Sequence, residues 1–174
     1  MARIPYADAQ SPAVKPLADR IIAERGSILH LYQMLLNSPP VAEGWLNYLT
    51  AIRQKSSLGG AIREMVIMRV ALLNHAPYEA EQHAPIALRE GMTQAQLDAL
   101  GEWQAGTQFD ARERAVLAYT DAMTRDIQVP DAVFSAVSAH FDAQQLVELT
   151  ATVAAYNMVS RFLEALQIHS HDAR

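Results

Sequence analysis

No cysteine occurs among the 174 residues. That absence removes thiolate nucleophiles, disulfide exchange and sulfur metal ligands from any function the chain could have. An excess of positive charge is missing as well: 14 Lys and Arg stand against 19 Asp and Glu, for a net charge of −5 and a pI near 5.6. Such a chain offers no basic footprint to a phosphate backbone, and no nucleic-acid partner is expected. Long apolar runs are lacking too. The most apolar stretch, Met65 to Leu73, carries Arg69 in its middle and falls short of the roughly 18 residues a membrane helix needs, so no membrane partner is expected. The opening MARIPYADAQSPAVKP has no apolar middle segment of the secretory kind, and a cytoplasmic location is the default expectation.

Strand signals are almost absent, since no run rich in Val, Ile and Thr alternates with polar residues between turn clusters. Helical spacing takes their place. The hydrophobic fraction of 51% at this length suits one domain over residues 1–174, with residues 1–15 as an extended N-terminal arm and 168–174 as a flexible tail. Leu17, Ile21 and Ile22 mark a first helix that Gly26 can end. Ser27 is expected to cap a second, ILHLYQMLL, stopped by Asn37-Ser38-Pro39-Pro40. Trp45, Leu46, Tyr48, Leu49 and Ile52 form the stripe of a third. The segment Ala61 to Asn74 is apolar nearly all round apart from Arg63, Glu64 and Arg69, which predicts a central helix whose polar members need partners. Pro77 suits the first position of the next helix, expected to reach about Glu90 and to bend at Pro85. Thr93 with Gln96, Asp110 with Glu113 and Asp142 with Gln145 fit capping pairs that open helices near 93–104, 110–125 and 142–167, and another short helix begins around Pro130. The fold class expected is all-α and multihelical.

The segment HAPYEAEQH, His75 to His83, holds the candidate chemistry. A helix running through it would set His75, Glu79 and His83 on one face, a spacing able to present metal ligands. Pro77 argues otherwise, because proline disfavours helical geometry in the residue before it; Ala76 should be extended and His75 should sit in the turn. Glu79 and His83 are then the pair one helical turn apart. Glu64 joins them as a carboxylate in an apolar helix that is costly to bury without a partner. Spacing alone leaves open whether Glu64 reaches His83, since the two lie at different distances from the turn. Glu81, in the same first turn, needs no role beyond favouring the positive end of the helix dipole. Tyr78 is a candidate hydrogen-bond donor to a substrate, or a packing residue. Arg63, Arg69 and Arg161 are unranked candidates for holding a substrate carboxylate.

The stretch Arg63-Glu64-Met65-Val66-Ile67-Met68-Arg69-Val70-Ala71, followed by Tyr78-Glu79 and His83, resembles the carboxymuconolactone decarboxylase family, which includes alkyl hydroperoxidase D. The resemblance covers most of the chain, with its specific motif confined to residues 63–83. It implies an alkyl hydroperoxidase D-like helical bundle and a homo-oligomer, trimer or hexamer, with sites near subunit contacts. The peroxidase branch carries a glutamate, then Cys-x-x-Cys, then a histidine four residues after the second cysteine. Glu64 and His83 match the two ends of that pattern, while Ala76 and Glu79 stand where the cysteines would be. Thiol peroxidase chemistry is therefore excluded. The decarboxylase branch also lacks the redox pair and keeps a histidine in this helix. The resemblance thus implies a cofactor-independent lyase or isomerase acting on a small organic acid or lactone, with Glu64, Glu79 and His83 as acid–base groups and no metal. Two alternatives accompany it: a non-catalytic oligomeric binding or structural protein that keeps the fold, and a metal-dependent enzyme.

Overall fold

A computed structural model describes residues 1–173. Among them no strand forms, and the chain is helical throughout with short connections. No helix among these residues is long and apolar enough to cross a membrane. The contacts gather into two compact units, one made of residues 1–54 with the stretch from Phe162 onward, the other of Lys55–Arg161.

In the first unit, α1 (Lys15–Arg25) ends at Gly26, whose φ of 82° is the left-handed closure that a side chain would resist. The next helix, α2 (His30–Leu35), is preceded by Leu29 with no side-chain cap, so the expected cap at Ser27 does not form. Ser27 stands three residues before the helix, too far for its hydroxyl to meet the first free N–H groups. Pro39 and Pro40 open α3 (Pro39–Thr50) as its first residues, where a missing N–H is harmless. This helix buries Ala42, Trp45, Leu46 and Leu49, whereas Tyr48, expected on the same stripe, is 42% exposed at its margin. A single π-helical turn, Ala51–Lys55, follows.

Residues 168–173 are not the flexible tail expected. Ile168 is fully buried, and the Asp172 carboxylate accepts hydrogen bonds from the Tyr6 hydroxyl at 2.7 Å and the His169 N–H at 3.1 Å. Those donors, Tyr6 first, hold the Asp172 carboxyl down at about 2. The N-terminal arm is tied into the same unit: the Arg3 N–H donates to the Leu166 carbonyl at 2.9 Å, and Asn37 donates to the Pro5 carbonyl at 3.0 Å. Arg174 lies outside the described residues.

The second unit is built on α4 (Gly60–Leu73), buried without interruption from Ile62 to Ala71. It packs against α5 (Pro77–Arg89) and α7 (Ala111–Arg125). The unit also holds α6 (Gln94–Ala99), α8 (Asp131–Ser138) and, as far as Arg161, α9 (Ala143–Leu166). The capping pairs form as the sequence predicts: Thr93 Oγ1 accepts from the Gln96 N–H at 3.1 Å, Asp110 from Glu113 at 2.8 Å and Asp142 from Gln145 at 2.8 Å. The helix expected over 93–104 stops short, however, becoming a 3-10 turn at Leu100–Glu102. Its last carbonyls are drawn to Arg69, whose Nη1 donates to Leu100 O at 2.8 Å and Gly101 O at 3.2 Å.

That contact explains the charge in the middle of α4. Arg69, 2% exposed, forks onto Asp121 of α7 with Nε and Nη2 at 2.6 and 2.7 Å. Trp103 Nε1 donates to the same carboxylate at 3.2 Å. A bidentate guanidinium–carboxylate pair with carbonyl and indole partners is the arrangement in which burying two charges is tolerated.

Candidate active site

The chain leaves α4 through Asn74 and turns at His75, which adopts φ 53° and is exposed. Ala76 follows with φ −103° and ψ 81°, outside helical geometry, and Pro77 starts α5. His75 therefore takes no part in the face formed by Glu79 and His83, as the proline predicts. Pro85 lies inside α5.

The packing of α5 against α4 closes the distance that spacing left open. His83 Nδ1 lies 2.6 Å from Glu64 Oε2, and His83 Nε2 lies 3.2 Å from Glu79 Oε1. Both carboxylates and the imidazole are withdrawn from water, with Glu64 at 0%, Glu79 at 4% and His83 at 5% exposure. On its other oxygen Glu64 accepts from Arg63 Nε at 3.1 Å. Tyr156 of α9 presents its ring to His83 in an edge-to-face contact, with centroids 5.2 Å apart and planes at 87°. The side chains thus run in a row, Arg63–Glu64–His83–Glu79. With the imidazole protonated the row is electrically balanced; with it neutral, one negative charge is left buried.

This balance governs the proton. Burial, the largest single influence, lowers the pKa of His83, but the hydrogen bonds to Glu64 and then Glu79, with their charges, outweigh it and raise it above the ordinary 6.5. Because the folded value is raised, the associated stability is fully present below the unfolded pKa near 6.5 and is lost as pH climbs through the folded pKa. The urea midpoint should accordingly fall as pH increases above about 6.5, and the slope should flatten in His83→Gln. A midpoint that rises with pH up to about 6.5 and is level above it would mean that burial wins and the imidazole is held neutral.

Residues 39–122 match the carboxymuconolactone decarboxylase family. The chain is thus similar to that family over just under half of its length. The chain is 32% identical over 127 residues to YnjA, an uncharacterised protein of Escherichia coli, the match covering 72% of this chain and 66% of that one. Its fold is shared with an alkylhydroperoxidase AhpD core protein of Ralstonia eutropha, at a TM-score of 0.83 and 18% identity over 98% of this chain and 93% of that one. The debrominase Bmp8, solved in complex with 2,3,4-tribromopyrrole, is also similar, at a TM-score of 0.81 and 16% identity over 97% and 93% of the two chains.

The two positions that the resemblance sets where the peroxidase branch has its redox cysteines differ in what they present. Ala76 is buried just before α5 and carries no reactive group. Glu79 puts a carboxylate on the histidine instead. Of the three arginines proposed for a substrate carboxylate, Arg69 is committed to Asp121, and Arg161 is exposed and donates to Asn157 O and Oδ1 at 3.0 and 2.7 Å. Only Arg63 joins the row. Tyr78, in the first turn of α5, is 3% exposed. Sequence reasoning missed Tyr156; no motif marks it, and its place in an Ala-rich helix reads as packing. Among the described residues no group of three or more His, Asp or Glu side chains is arranged to hold a metal ion. Glu64 and Glu79 take up the two ring nitrogens of His83 from opposite sides, so the three groups do not converge on one point.

Proposed function

We propose that this protein is a cofactor-independent lyase or isomerase acting on a small organic acid or lactone, with Glu64, His83 and Glu79 moving a proton at a substrate carbon. The observation that carries the reading is the imidazole held between two buried carboxylates at 2.6 and 3.2 Å. Glu64 makes the shorter contact and holds the Nδ1–H. The Nε2–H is then the mobile one, shared over a longer distance with Glu79. Decarboxylation of an unsaturated lactone acid breaks the bond to the carboxylate, releases carbon dioxide and leaves an electron pair delocalised toward the lactone carbonyl. His83 donates its Nε2 proton to the carbon that regains a hydrogen, and a proton taken from solvent water and passed on by Glu79 restores the ring. An isomerisation uses the same pair, with Glu79 taking the proton and His83 supplying it. Tyr78 is our candidate hydrogen-bond donor to a substrate oxygen, and a homo-oligomer, trimer or hexamer, is the assembly we propose for the active protein. The brominated pyrrole in the complex of Bmp8 accords with a small cyclic substrate for this fold.

The competing reading, a binding or structural protein that retains the fold, draws on the near-complete enclosure of the three groups. A panel of carboxylated lactones, followed by carbon dioxide release and by NMR, separates the two. Conversion of at least one lactone, with a deuterium from heavy water incorporated at carbon, is the result expected. Binding without conversion across the panel would favour the competing reading.

A further inference from the structure

Arg63 sits between a buried carboxylate and an exposed one. Its Nε donates to Glu64 at 3.1 Å, while its Nη2 lies 3.4 Å from the Oε1 of Glu90, just past the end of α5. Glu64 is fully buried and touches His83; the Glu90 side chain is 41% exposed. The seat that Glu90 occupies is specific to the local backbone. Its carboxylate lies directly over Gly60, where any Cβ would collide with it. One guanidinium therefore answers to two carboxylates, and the outer one is in reach of solvent.

We propose that Arg63 is a positioning residue for the acid–base row, and that Glu90 at the surface sets, through Arg63, how firmly His83 holds its proton. The proposal rests on the acid–base reading of the site. Its physical basis is charge: Arg63 neutralises Glu64 and so makes proton loss from His83 easier, whereas Glu90 draws on the same guanidinium and makes it harder. The charged and titratable groups facing His83 are Glu79 on its own helix, Glu64 and through it Arg63 on α4, and the ring edge of Tyr156 on α9. Glu90 is thus the point in this row where an external charge can act on the buried proton.

The test follows the His83 ring by NMR on the full-length protein labelled at histidine Cε1, with its resonance assigned by loss in His83→Gln, through a pH titration at low salt. Glu90→Gln should lower the apparent pKa of His83 by about half a pH unit, the size expected for removing one partly screened charge at this remove. Arg63→Met should raise it by about one unit, and Arg63→Lys should restore most of the original value. Gly60→Ala, which pushes the Glu90 carboxylate off its seat, should shift it the same way as Glu90→Gln. Glu90→Gln and Gly60→Ala alter residues at the site's outer edge, so they decide the matter even if Arg63→Met does not fold. No shift in Glu90→Gln, or shifts of the same sign in Glu90→Gln and Arg63→Met as general loosening would give, overturns the proposal. The titration needs no substrate, so its outcome stands apart from whether any lactone is converted.

Discussion

His83→Ala is expected to lower kcat by about 10²- to 10⁴-fold, the range supplied by a positioned general acid or base, with KM changed far less. An interaction made only in the transition state is lost in kcat, whereas uniform binding is lost in KM. Removing the ring also leaves Glu64 and Glu79 buried without the group between them, so a folding defect could imitate a catalytic one. His83→Gln resolves this, because its side-chain amide can still donate to one carboxylate while having no proton to transfer at neutral pH. Both variants should lose turnover, and His83→Gln should keep the helical circular dichroism and the oligomeric state of the parent. Retained turnover in His83→Gln would remove the imidazole from the chemistry. Glu79→Gln adds a finer test, since it keeps a hydrogen-bonding group on the mobile side and deletes only the base; the loss should again fall in kcat.

The second large effect concerns stability. Asp121→Ala should destabilise the protein by about 3–5 kcal/mol, the cost of leaving a buried guanidinium without its counter-charge. For a chain of this size that corresponds to a fall of roughly 10 °C in Tm, followed by circular dichroism. Three donors lose their acceptor at once: Nε and Nη2 of Arg69 and Nε1 of Trp103. The carbonyls of Leu100 and Gly101 still hold Nη1, which keeps the charge in place and unable to reach water. The double variant Arg69→Met with Asp121→Leu should recover a large part of the loss, because an apolar pair of similar volume carries no desolvation penalty. Equal losses in the single and double variants would mean that the uncompensated charge is not the source of the loss.

Residues 60–83 show how far the sequence could be read. Pro77 excluded His75 from the site because the restraint proline places on its neighbour acts within two residues, and His75 turns away at φ 53°. The capping pairs at Thr93, Asp110 and Asp142 were equally legible, being closed within one helical turn. Ser27 was misread for a related reason: a capping residue type does not say where a helix begins. Residues 168–173 were misread because the donors to Asp172 include Tyr6, at the far end of the chain.

From the sequence by itself came the all-α class, the family resemblance across residues 63–83, and the exclusion of thiol chemistry in a chain with no cysteine. These depend on residue type and on spacings within a turn or two of helix. Only the tertiary structure decided that Glu64 meets His83, that Arg69 is committed to Asp121 while Arg63 serves the row, and that Tyr156 closes against the imidazole ring. Apart from that of Arg63 with its neighbour Glu64, each of these contacts joins two different helices. Whether two such side chains meet depends on how their helices pack, which the periodicity of either one alone does not contain.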